Sequence, residues 1–199
     1  QQNPYVRAEN KPLSGDSGLR CQLLNPVDES EVARLLADNN YCLQEKHDGR
    51  RLMVRKVGTE ITTINRRGLF ILISDTITDA VSKIPHDVLL DGEAVGETFH
   101  VFDVLEANGR DLREMPYTHR YSTLIQCLPP RNPTIPIVAI ALGGASKTAA
   151  YNLLHRNNRE GVVFKDLRSA FSPGRPNSGG TQLKFKFVET ASFIVTDQH

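Results

Sequence analysis

The residues best suited to covalent chemistry lie at positions 46–51, where the letters KHDGRR fit the pattern K-x-D-G-x-R. The pattern places Lys46 at the end of a predicted strand, beside an Asp-Gly turn from which its amine can project into a cleft. A lysine becomes a nucleophile only after it loses a proton, and a free lysine is almost wholly protonated at neutral pH. Neighbouring cations or a bound metal would favour the neutral amine. The alternative interpretation is a solvated surface lysine.

Further blocks that combine carboxylates, cations, glycines and one aromatic follow this first block in a fixed order. Each block alone has an ordinary explanation, such as a solvated carboxylate, an exposed strand face or a core phenylalanine. Their order and separation make coincidence a poor explanation. The blocks are NRRG at 65–68, LDGEAV at 90–95, FHVFDVL at 99–105, NGRDLR at 108–113, EGVVFK at 160–165, SPGR at 172–175 and LKFK at 183–186.

Taken together, these blocks resemble the covalent nucleotidyltransferase superfamily and, within it, the adenylation domain of ATP-dependent DNA ligases. The resemblance covers residues 21–196. It implies an α+β nucleotidyltransferase fold, similar to ATP-grasp proteins, in which antiparallel sheets flanked by helices enclose a nucleotide cleft. It also implies an enzyme that joins AMP from ATP to Lys46, passes it to the 5′-phosphate of nicked DNA and seals the nick.

The resemblance assigns nucleotidyl transfer to two residues and the positive charge around the α-phosphate to two more. Lys46 would attack the α-phosphate of ATP and expel pyrophosphate, while Asp48 would support the lysine and the turn. Lys184 and Lys186 match the closing K-x-K element. Because strand residues two apart point to the same face, both lysines can approach the α-phosphate, where positive charge stabilises the developing anion.

The resemblance also assigns the nucleotide, metal and DNA contacts. Mg²⁺ prefers oxygen ligands and usually keeps several waters, so one or two carboxylates suffice to hold it. Glu160 and Glu93 would supply them. The implied nucleotide contacts are Gln44, Glu45, Arg51, Glu93, Phe102 and Val163, with Phe102 stacked on the base, and the implied DNA contacts are Arg66, Lys165 and Arg175.

Two positions depart from the pattern of the DNA ligases. Gln44 replaces a glutamate whose carboxylate accepts a hydrogen bond from the adenine amino group. A glutamine amide can accept from adenine or donate to the guanine carbonyl, which weakens the preference for ATP over GTP. Gln182 replaces an aromatic residue, so packing near the phosphates is expected to differ.

The elements that must position these residues alternate between strands and helices without a regular order, which predicts an α+β domain with largely antiparallel sheets. Asp28 and Glu31 have the spacing of a helix capping box. Thr118 and Ser146 are predicted to cap two later helices. The strands are predicted at 41–46, 52–57, 60–65, 88–95, 99–105, 135–142, 161–165, 183–188 and 191–196, and the helices at 28–39, 73–84, 118–128 and 146–157.

The composition fits one globular domain of 199 residues, with 39% hydrophobic residues and a net charge of +1. That small total hides two basic segments, 46–67 and 156–188, each with seven basic and two acidic residues. Basic segments in an acidic remainder suggest a surface that meets phosphate, although solvated loop charges would give the same count. Three scattered cysteines give no disulfide or zinc pattern and favour a reduced compartment.

The absence of an apolar stretch of about 20 residues predicts no membrane span. We therefore expect a monomer acting on nicked double-stranded DNA, cytoplasmic with the nucleoid if bacterial or viral, and nuclear if eukaryotic. Residues 1–20 are expected to form an extended arm before an adenylation domain at 21–199. Because the related ligases continue into an OB-fold domain, the chain is expected to be a catalytic-domain fragment.

Two other function classes remain open from the sequence. An RNA ligase or an mRNA-capping guanylyltransferase would use the same lysyl-nucleotide chemistry on a different acceptor or nucleotide. A nucleotide- or nucleic-acid-binding module that has lost turnover would keep the fold without the covalent step.

Overall fold

A computed structural model describes residues 14–187 of the chain. Within them, four helices flank a four-stranded and a six-stranded sheet, which confirms the predicted α+β class. The described strands pair antiparallel except for one parallel pair, β1 with β10. The elements are β1 (Asn25–Pro26), α1 (Glu29–Ala37), β2 (Tyr41–Lys46), β3 (Arg50–Val57), β4 (Glu60–Asn65), β5 (Phe70–Ile71), α2 (Asp75–Ser82), β6 (Val88–Val95), β7 (Thr98–Ala107), β8 (Arg110–Asp111), α3 (Tyr117–Cys127), α4 (Gly144–Arg156), β9 (Gly161–Asp166) and β10 (Gln182–Lys186).

The six-stranded sheet has the order β5-β4-β3-β6-β7-β8 and carries the larger core. Its central strands carry consecutive apolar residues, such as 52–54 in β3, and because neighbouring residues of a strand point to opposite faces, both faces have side chains to bury. On one face, Leu52, Val54, Leu90 and Val104 pack with residues of α2 and α3. On the other face, Met53 and its neighbours pack against the segment around residues 19–23 and against Phe171.

The four-stranded sheet has the order β1-β10-β9-β2 and packs against α1 and α4. Leu35 of α1, Leu43 of β2 and Phe164 of β9 are almost fully buried in this second core. Lys147 of α4 is also buried, and its ammonium donates to the carbonyl oxygens of Leu35 and Asp38. These two carbonyls lie at the carboxyl end of α1, where the helix leaves acceptors without partners, so Lys147 ties α4 to α1.

Residues 134–141 join the two sheets, and here the predicted strand at 135–142 is wrong. The carbonyl of Pro136 accepts from the amide of Val101 in β7, and the amide of Ala141 donates to the carbonyl of Leu43 in β2. The segment touches each sheet through isolated bridges only. Proline has no amide to donate, so the segment cannot pair continuously with one strand and instead crosses from one sheet to the other.

The residues that cap the helix starts differ from the sequence prediction at two of the described helices, α3 and α4. Asp28 precedes α1 as predicted, although its side chain makes no cap hydrogen bond. Pro116, and not Thr118, precedes α3, which agrees with the fixed backbone angle that proline offers at a helix start. Gly143, with φ +75°, precedes α4 in place of Ser146. Local capping patterns therefore located the helices but missed these boundaries by two or three residues.

Some predictions fall outside the described residues, namely the strand at 191–196 and most of the arm at 1–20. Of that arm, residues 16 and 17 lie beside the turn at 66–69, where the amide of Ser17 donates to the carbonyl of Gly68 over 2.8 Å. None of the helices formed by residues 14–187 is long and apolar enough to cross a membrane.

Candidate active site

A cavity lies between the two sheets where the chain passes from one to the other. Strand β2 is an edge of the four-stranded sheet and β3 belongs to the six-stranded sheet, so the turn at 47–49 connects them. Gly49 is required in this turn because a Cβ there would collide with the carbonyl oxygen of Ala94. The cavity is lined by Leu24, Gln44, Glu45, Lys46, His47, Arg51, Glu93, Phe102, Val163, Lys165 and Gln182.

Lys46 stands at the mouth of the cavity in an ion pair with Glu160. Its Nζ lies 2.8 Å from each carboxylate oxygen of Glu160, and the two side chains are each 17% exposed. The Nζ of Lys186 lies 3.1 Å from the same carboxylate. Lys46 and Lys186 both pair in register with Gly161, so the residue just before β9 meets both lysines. The geometry therefore gathers one carboxylate and two ammonium groups from residues up to 140 positions apart.

Arg51 forms a nearly buried bidentate ion pair that the sequence did not predict. Its Nε lies 2.7 Å and its Nη2 2.9 Å from the two oxygens of Asp91, and Nη2 also donates to the carbonyl of Gln22 over 3.1 Å. Burial alone would lower the pKa of Arg51, but the Asp91 carboxylate raises it above its ordinary value. The guanidinium is therefore fixed and charged, 4.6 Å from the centre of the Phe102 ring.

Glu93 pairs in register with Arg51 and faces both the cavity and the groove beside it. Burial raises the pKa of Glu93, while the cations of Arg51 and Lys46 partly counteract that rise. Asp91 and Glu93 belong to the same sequence block, so Asp91 could have been found as a site residue from its neighbours. Gln22, by contrast, lies in no recognised block.

Phe102 is half-buried, and two cations approach its ring. Besides Arg51, the Nζ of Lys165 lies 4.1 Å from the Phe102 centroid and 4.7 Å from that of Tyr117. Lys165 is only 3% exposed, and its ammonium has no hydrogen-bond partner among residues 14–187. Burial lowers the pKa of Lys165 to about 8. Its position in the cavity wall differs from the DNA contact expected from the sequence, because duplex DNA cannot reach a side chain so deeply buried.

Gln44 and Val163 occupy neighbouring positions on β2 and β9 and are both buried. The Nε2 of Gln44 donates to the carbonyl of Val138 over 3.1 Å, and its Oε1 lies 3.3 Å from the hydroxyl of Tyr117. Glu45 points its carboxylate to Arg159, with which it forms an ion pair. The side chain at position 44 is therefore held by the protein itself on the cavity wall.

A wide, open groove continues from the cavity along the six-stranded sheet, with a volume of about 900 Å³. Arg66 and Arg175, both predicted as DNA contacts, are exposed on it. Burial, and then the neighbouring cations beginning with Arg175, lower the pKa of Lys184. Against one acid, Glu93, the groove holds seven basic side chains: Lys46, Arg50, Arg51, Arg66, Arg67, Arg175 and Lys184.

The loop that presents Arg66 is held by Asn65. The Oδ1 of Asn65 accepts hydrogen bonds from the amides of Arg67 and Leu69, over 2.9 and 3.1 Å. The asparagine side chain therefore closes this turn. Asp48, the predicted support for the lysine, lies exposed in the turn between β2 and β3 and is not part of the cavity wall.

A family model described as "ATP dependent DNA ligase domain" matches residues 96–186. Among curated relatives, the chain is 36% identical to a probable DNA ligase of Streptomyces coelicolor over 112 residues, which cover 55% of this chain and 21% of the relative. It is 27% identical to a probable DNA ligase of Sorangium cellulosum over 226 residues, covering 92% of this chain and 42% of the relative. The chain thus spans about a fifth to two fifths of these relatives.

Solved structures support the same fold. The ligase domain of M. tuberculosis LigD superposes with a TM-score of 0.70 at 23% identity, covering 85% of this chain and 60% of that one. A Lig E DNA ligase superposes with a TM-score of 0.57 at 18% identity, covering 84% of this chain and 68% of that one. At these identities the superpositions support the overall fold of this chain.

Proposed function

Since the chain carries an adenylation domain of the ATP-dependent DNA ligase family, we propose that it transfers AMP from ATP to Lys46 and then to the 5′-phosphate of nicked DNA, which it seals. The domain would act as a monomer in the compartment that holds the DNA. In the first step, Nζ of Lys46 forms a bond to the α-phosphorus as the bond between that phosphorus and the β-bridging oxygen breaks. Pyrophosphate leaves, and the ammonium nitrogen gives up two of its three protons to solvent, one before attack and one as the P–N bond forms.

The observation that carries the proposal is the Lys46–Glu160–Lys186 cluster at the mouth of the cavity. A nucleophilic lysine must lie where the phosphates of a nucleotide emerge from the cavity, and it needs cations near the attacked phosphorus. Lys186 lies beside Glu160, and Lys184 lines the same groove as Lys46. The Lys46–Glu160 ion pair must open before attack, because a protonated amine has no electron pair to donate.

The residues present fit a magnesium ion bound together with substrate phosphates. Among residues 14–187, no group of three or more His, Cys, Asp and Glu side chains forms a metal cage. Mg²⁺ does not need one, since it commonly uses one or two carboxylates with waters and phosphates. Glu160 and Glu93 would hold it. When bound, Mg²⁺ would neutralise phosphate charge, while Glu160 would be drawn away from Lys46.

The basic groove supports DNA as the acceptor. Lys46 and Arg51 are paired with Glu160 and Asp91, but the other five cations of the groove form no ion pair among residues 14–187, so a phosphate backbone can displace their counterions. Arg66 and Arg175 are its exposed contacts, and Arg66 is proposed to meet the phosphate of the nicked strand. Lys165 is assigned to the nucleotide and not to DNA because it is buried in the cavity wall.

Intact-mass measurement of the chain before and after incubation with ATP and Mg²⁺ tests the first step. A gain of one AMP that pyrophosphate reverses is expected, and Lys46→Ala should abolish it completely while leaving the circular-dichroism spectrum unchanged. As a matched control, Lys83→Ala, at the end of α2 and outside both the cavity and the groove, should keep the adduct. An adduct that survives Lys46→Ala would refute the assignment.

The acceptor and the nucleotide are tested separately. The adenylated chain is incubated with nicked DNA and with nicked RNA of the same sequence, and transfer of AMP to the 5′-phosphate is followed by gel shift. Transfer to DNA alone supports a DNA ligase, and transfer to RNA alone would replace it with an RNA ligase. A GMP adduct formed from GTP, with none from ATP, would instead indicate a capping guanylyltransferase.

A further inference from the structure

Two buried polar atoms of the cavity wall have no partner among the described residues. They are the amide oxygen Oε1 of Gln182, in a residue 4% exposed, and the ammonium of Lys165, in a residue 3% exposed. The two residues are register partners on β10 and β9, so their side chains lie next to each other on one face of the sheet. A buried polar group without a hydrogen-bond partner costs about 1–3 kcal/mol of folding free energy. Two such atoms in a cavity wall suggest that a ligand supplies the missing partners.

The orientation of the Gln182 amide is fixed by a chain of hydrogen bonds that begins at the backbone. The amide of Ser172 donates to Oε1 of Gln22 over 3.0 Å, which identifies that atom as the oxygen. The Nε2 of Gln22 then donates to the hydroxyl of Thr181 over 3.0 Å. Gln182 must therefore turn its Nε2 toward Oε1 of Gln22, at 3.3 Å, and its own oxygen points away from this network.

Gln44 differs from Gln182 because a polar group of the protein faces each end of its amide. Its nitrogen donates to the carbonyl of Val138, and its oxygen lies 3.3 Å from the Tyr117 hydroxyl, whose single proton is nearer the carbonyl of Phe102, at 2.7 Å. Of the two glutamines in the cavity wall, Gln182 is thus the one whose oxygen lacks a partner in residues 14–187.

We propose that Gln182 determines base specificity, its Oε1 accepting a hydrogen bond from the exocyclic amino group of adenine while Lys165 donates to the adjacent ring nitrogen N1. The proposal rests on the proposed function, in which the cavity binds ATP. It concerns the recognition of the base and not the chemistry at Lys46.

The same arrangement disfavours guanine held in the same orientation. Guanine has a carbonyl oxygen where adenine has the amino group, and it has an N–H where adenine has the acceptor N1. The carbonyl oxygen of guanine would then face Oε1 of Gln182, and the guanine N–H would face the ammonium of Lys165. Selectivity arises because buried polar groups that face the wrong partner lose their hydrogen bonds and are not compensated by water.

Binding to the whole 199-residue chain tests the proposal without relying on catalysis. Dissociation constants are measured by calorimetry in EDTA, so that no metal supports adenylation, for ATP, for GTP and for purine riboside 5′-triphosphate, which has hydrogen in place of the amino group. The wild-type chain should bind ATP about tenfold more tightly than the purine analogue, the factor that one hydrogen bond of about 1.4 kcal/mol produces. In Gln182→Leu, this ratio should fall to about one.

A specific contact is distinguished from general damage by which ligand loses affinity. Gln182→Leu should weaken the binding of ATP and leave the binding of the purine analogue nearly unchanged. A distorted cavity would weaken the binding of both ligands equally. Gln126→Leu, the same substitution on the exposed face of α3, should keep the wild-type ratio. An unchanged ratio in Gln182→Leu, equal weakening of both ligands, or tighter binding of GTP than of ATP in the wild-type chain would overturn the proposal.

Formation of the AMP adduct tests the proposed function separately from the base contact. If AMP attaches to Lys46 but Gln182→Leu keeps the tenfold ratio, the base contact is wrong and the enzyme assignment stands. If the ratio changes as expected and the wild-type chain forms no adduct with Mg²⁺, the base contact is supported and the covalent step is refuted for this chain.

Discussion

Two buried cations lie near the ring of Tyr117, and their surroundings differ completely. The guanidinium of Arg120 lies 5.4 Å from the centre of the Tyr117 ring, and the ammonium of Lys165 lies 4.7 Å from it. Arg120, in the α3 core, donates to both oxygens of Asp103 at 2.9 Å and to two backbone carbonyls. Lys165, in the cavity wall, has no acceptor within residues 14–187.

This difference shows that burial of a charge does not by itself indicate whether it serves the fold or a ligand. The number of ion-pair and hydrogen-bond partners distinguishes the two roles, because a buried charge is stable only when it is paired and hydrogen-bonded. Arg120 is fully satisfied and joins α3 to β7. Lys165 makes no hydrogen bond or ion pair among residues 14–187, so we expect it to weaken the ligand-free fold and attribute that cost to a site built to bind.

The largest expected effect is in the paired region. Arg120→Met leaves the carboxylate of Asp103, which is 1% exposed, without its cation, and should lower the free energy of unfolding by about 3–5 kcal/mol. Chemical denaturation followed by circular dichroism measures this loss. The double variant Arg120→Met with Asp103→Leu should recover much of the stability, since both charges are then gone. If Arg120→Met alone were as stable as the wild type, the claim that Arg120 stabilises the fold through its partners would be wrong.

The same substitution in the cavity wall should act with the opposite sign. Lys165→Met removes an unpaired buried ammonium and should raise the free energy of unfolding by about 3 kcal/mol at pH 7, the value that corresponds to a pKa of about 8 in place of 10.5. Adduct formation with ATP should decline in the same variant. Destabilisation by Lys165→Met would show that the ammonium has a partner that stabilises the fold.

The gain from Lys165→Met should depend on pH in a defined window. Below pH 8, Lys165 is protonated in both the folded and the unfolded chain, so the cost of burying the charge is complete. Between about 8 and 10.5, the unfolded chain binds more protons than the folded chain, and the stability of the wild type therefore rises with pH. The difference between variant and wild type should disappear by about pH 10.5, as thermal unfolding at several pH values can measure.

The smallest effect is expected at an exposed cation of the groove. Arg66→Ala should change the free energy of unfolding by less than about 0.5 kcal/mol, because the side chain is exposed. It should weaken binding to nicked duplex DNA up to about tenfold and lower the slope of log affinity against log salt by about one. Fluorescence anisotropy over a salt series measures both. Arg156→Ala, exposed on α4 outside the groove, is the control and should leave the slope unchanged.

The sequence alone determined much of the local structure. Short runs rich in strand-forming residues and bounded by turn residues predicted β2, β4 and β6 at the bounds observed, and the family resemblance of the ordered blocks implied that Lys46, Glu93, Phe102 and Glu160 share one site. This criterion succeeds where a short run of strand-forming residues stays within one sheet, even when consecutive residues are buried on both faces, as in β2 and β6. It failed at residues 135–142, where an apolar run crosses between two sheets and belongs to neither.

Only the tertiary structure decided which side chains meet and which remain unpaired. The Arg51–Asp91 pair depends on the register of β3 with β6, and the Lys46–Glu160–Lys186 cluster depends on β9 lying between β2 and β10. Strand order and register place residues that are far apart in the chain side by side, and periodicity within one strand contains no information on either. The sequence thus supplied the chemical groups of the site, whereas packing determined that the ammonium of Lys165 and the amide oxygen of Gln182 are buried beside the cavity without a hydrogen-bond partner from residues 14–187.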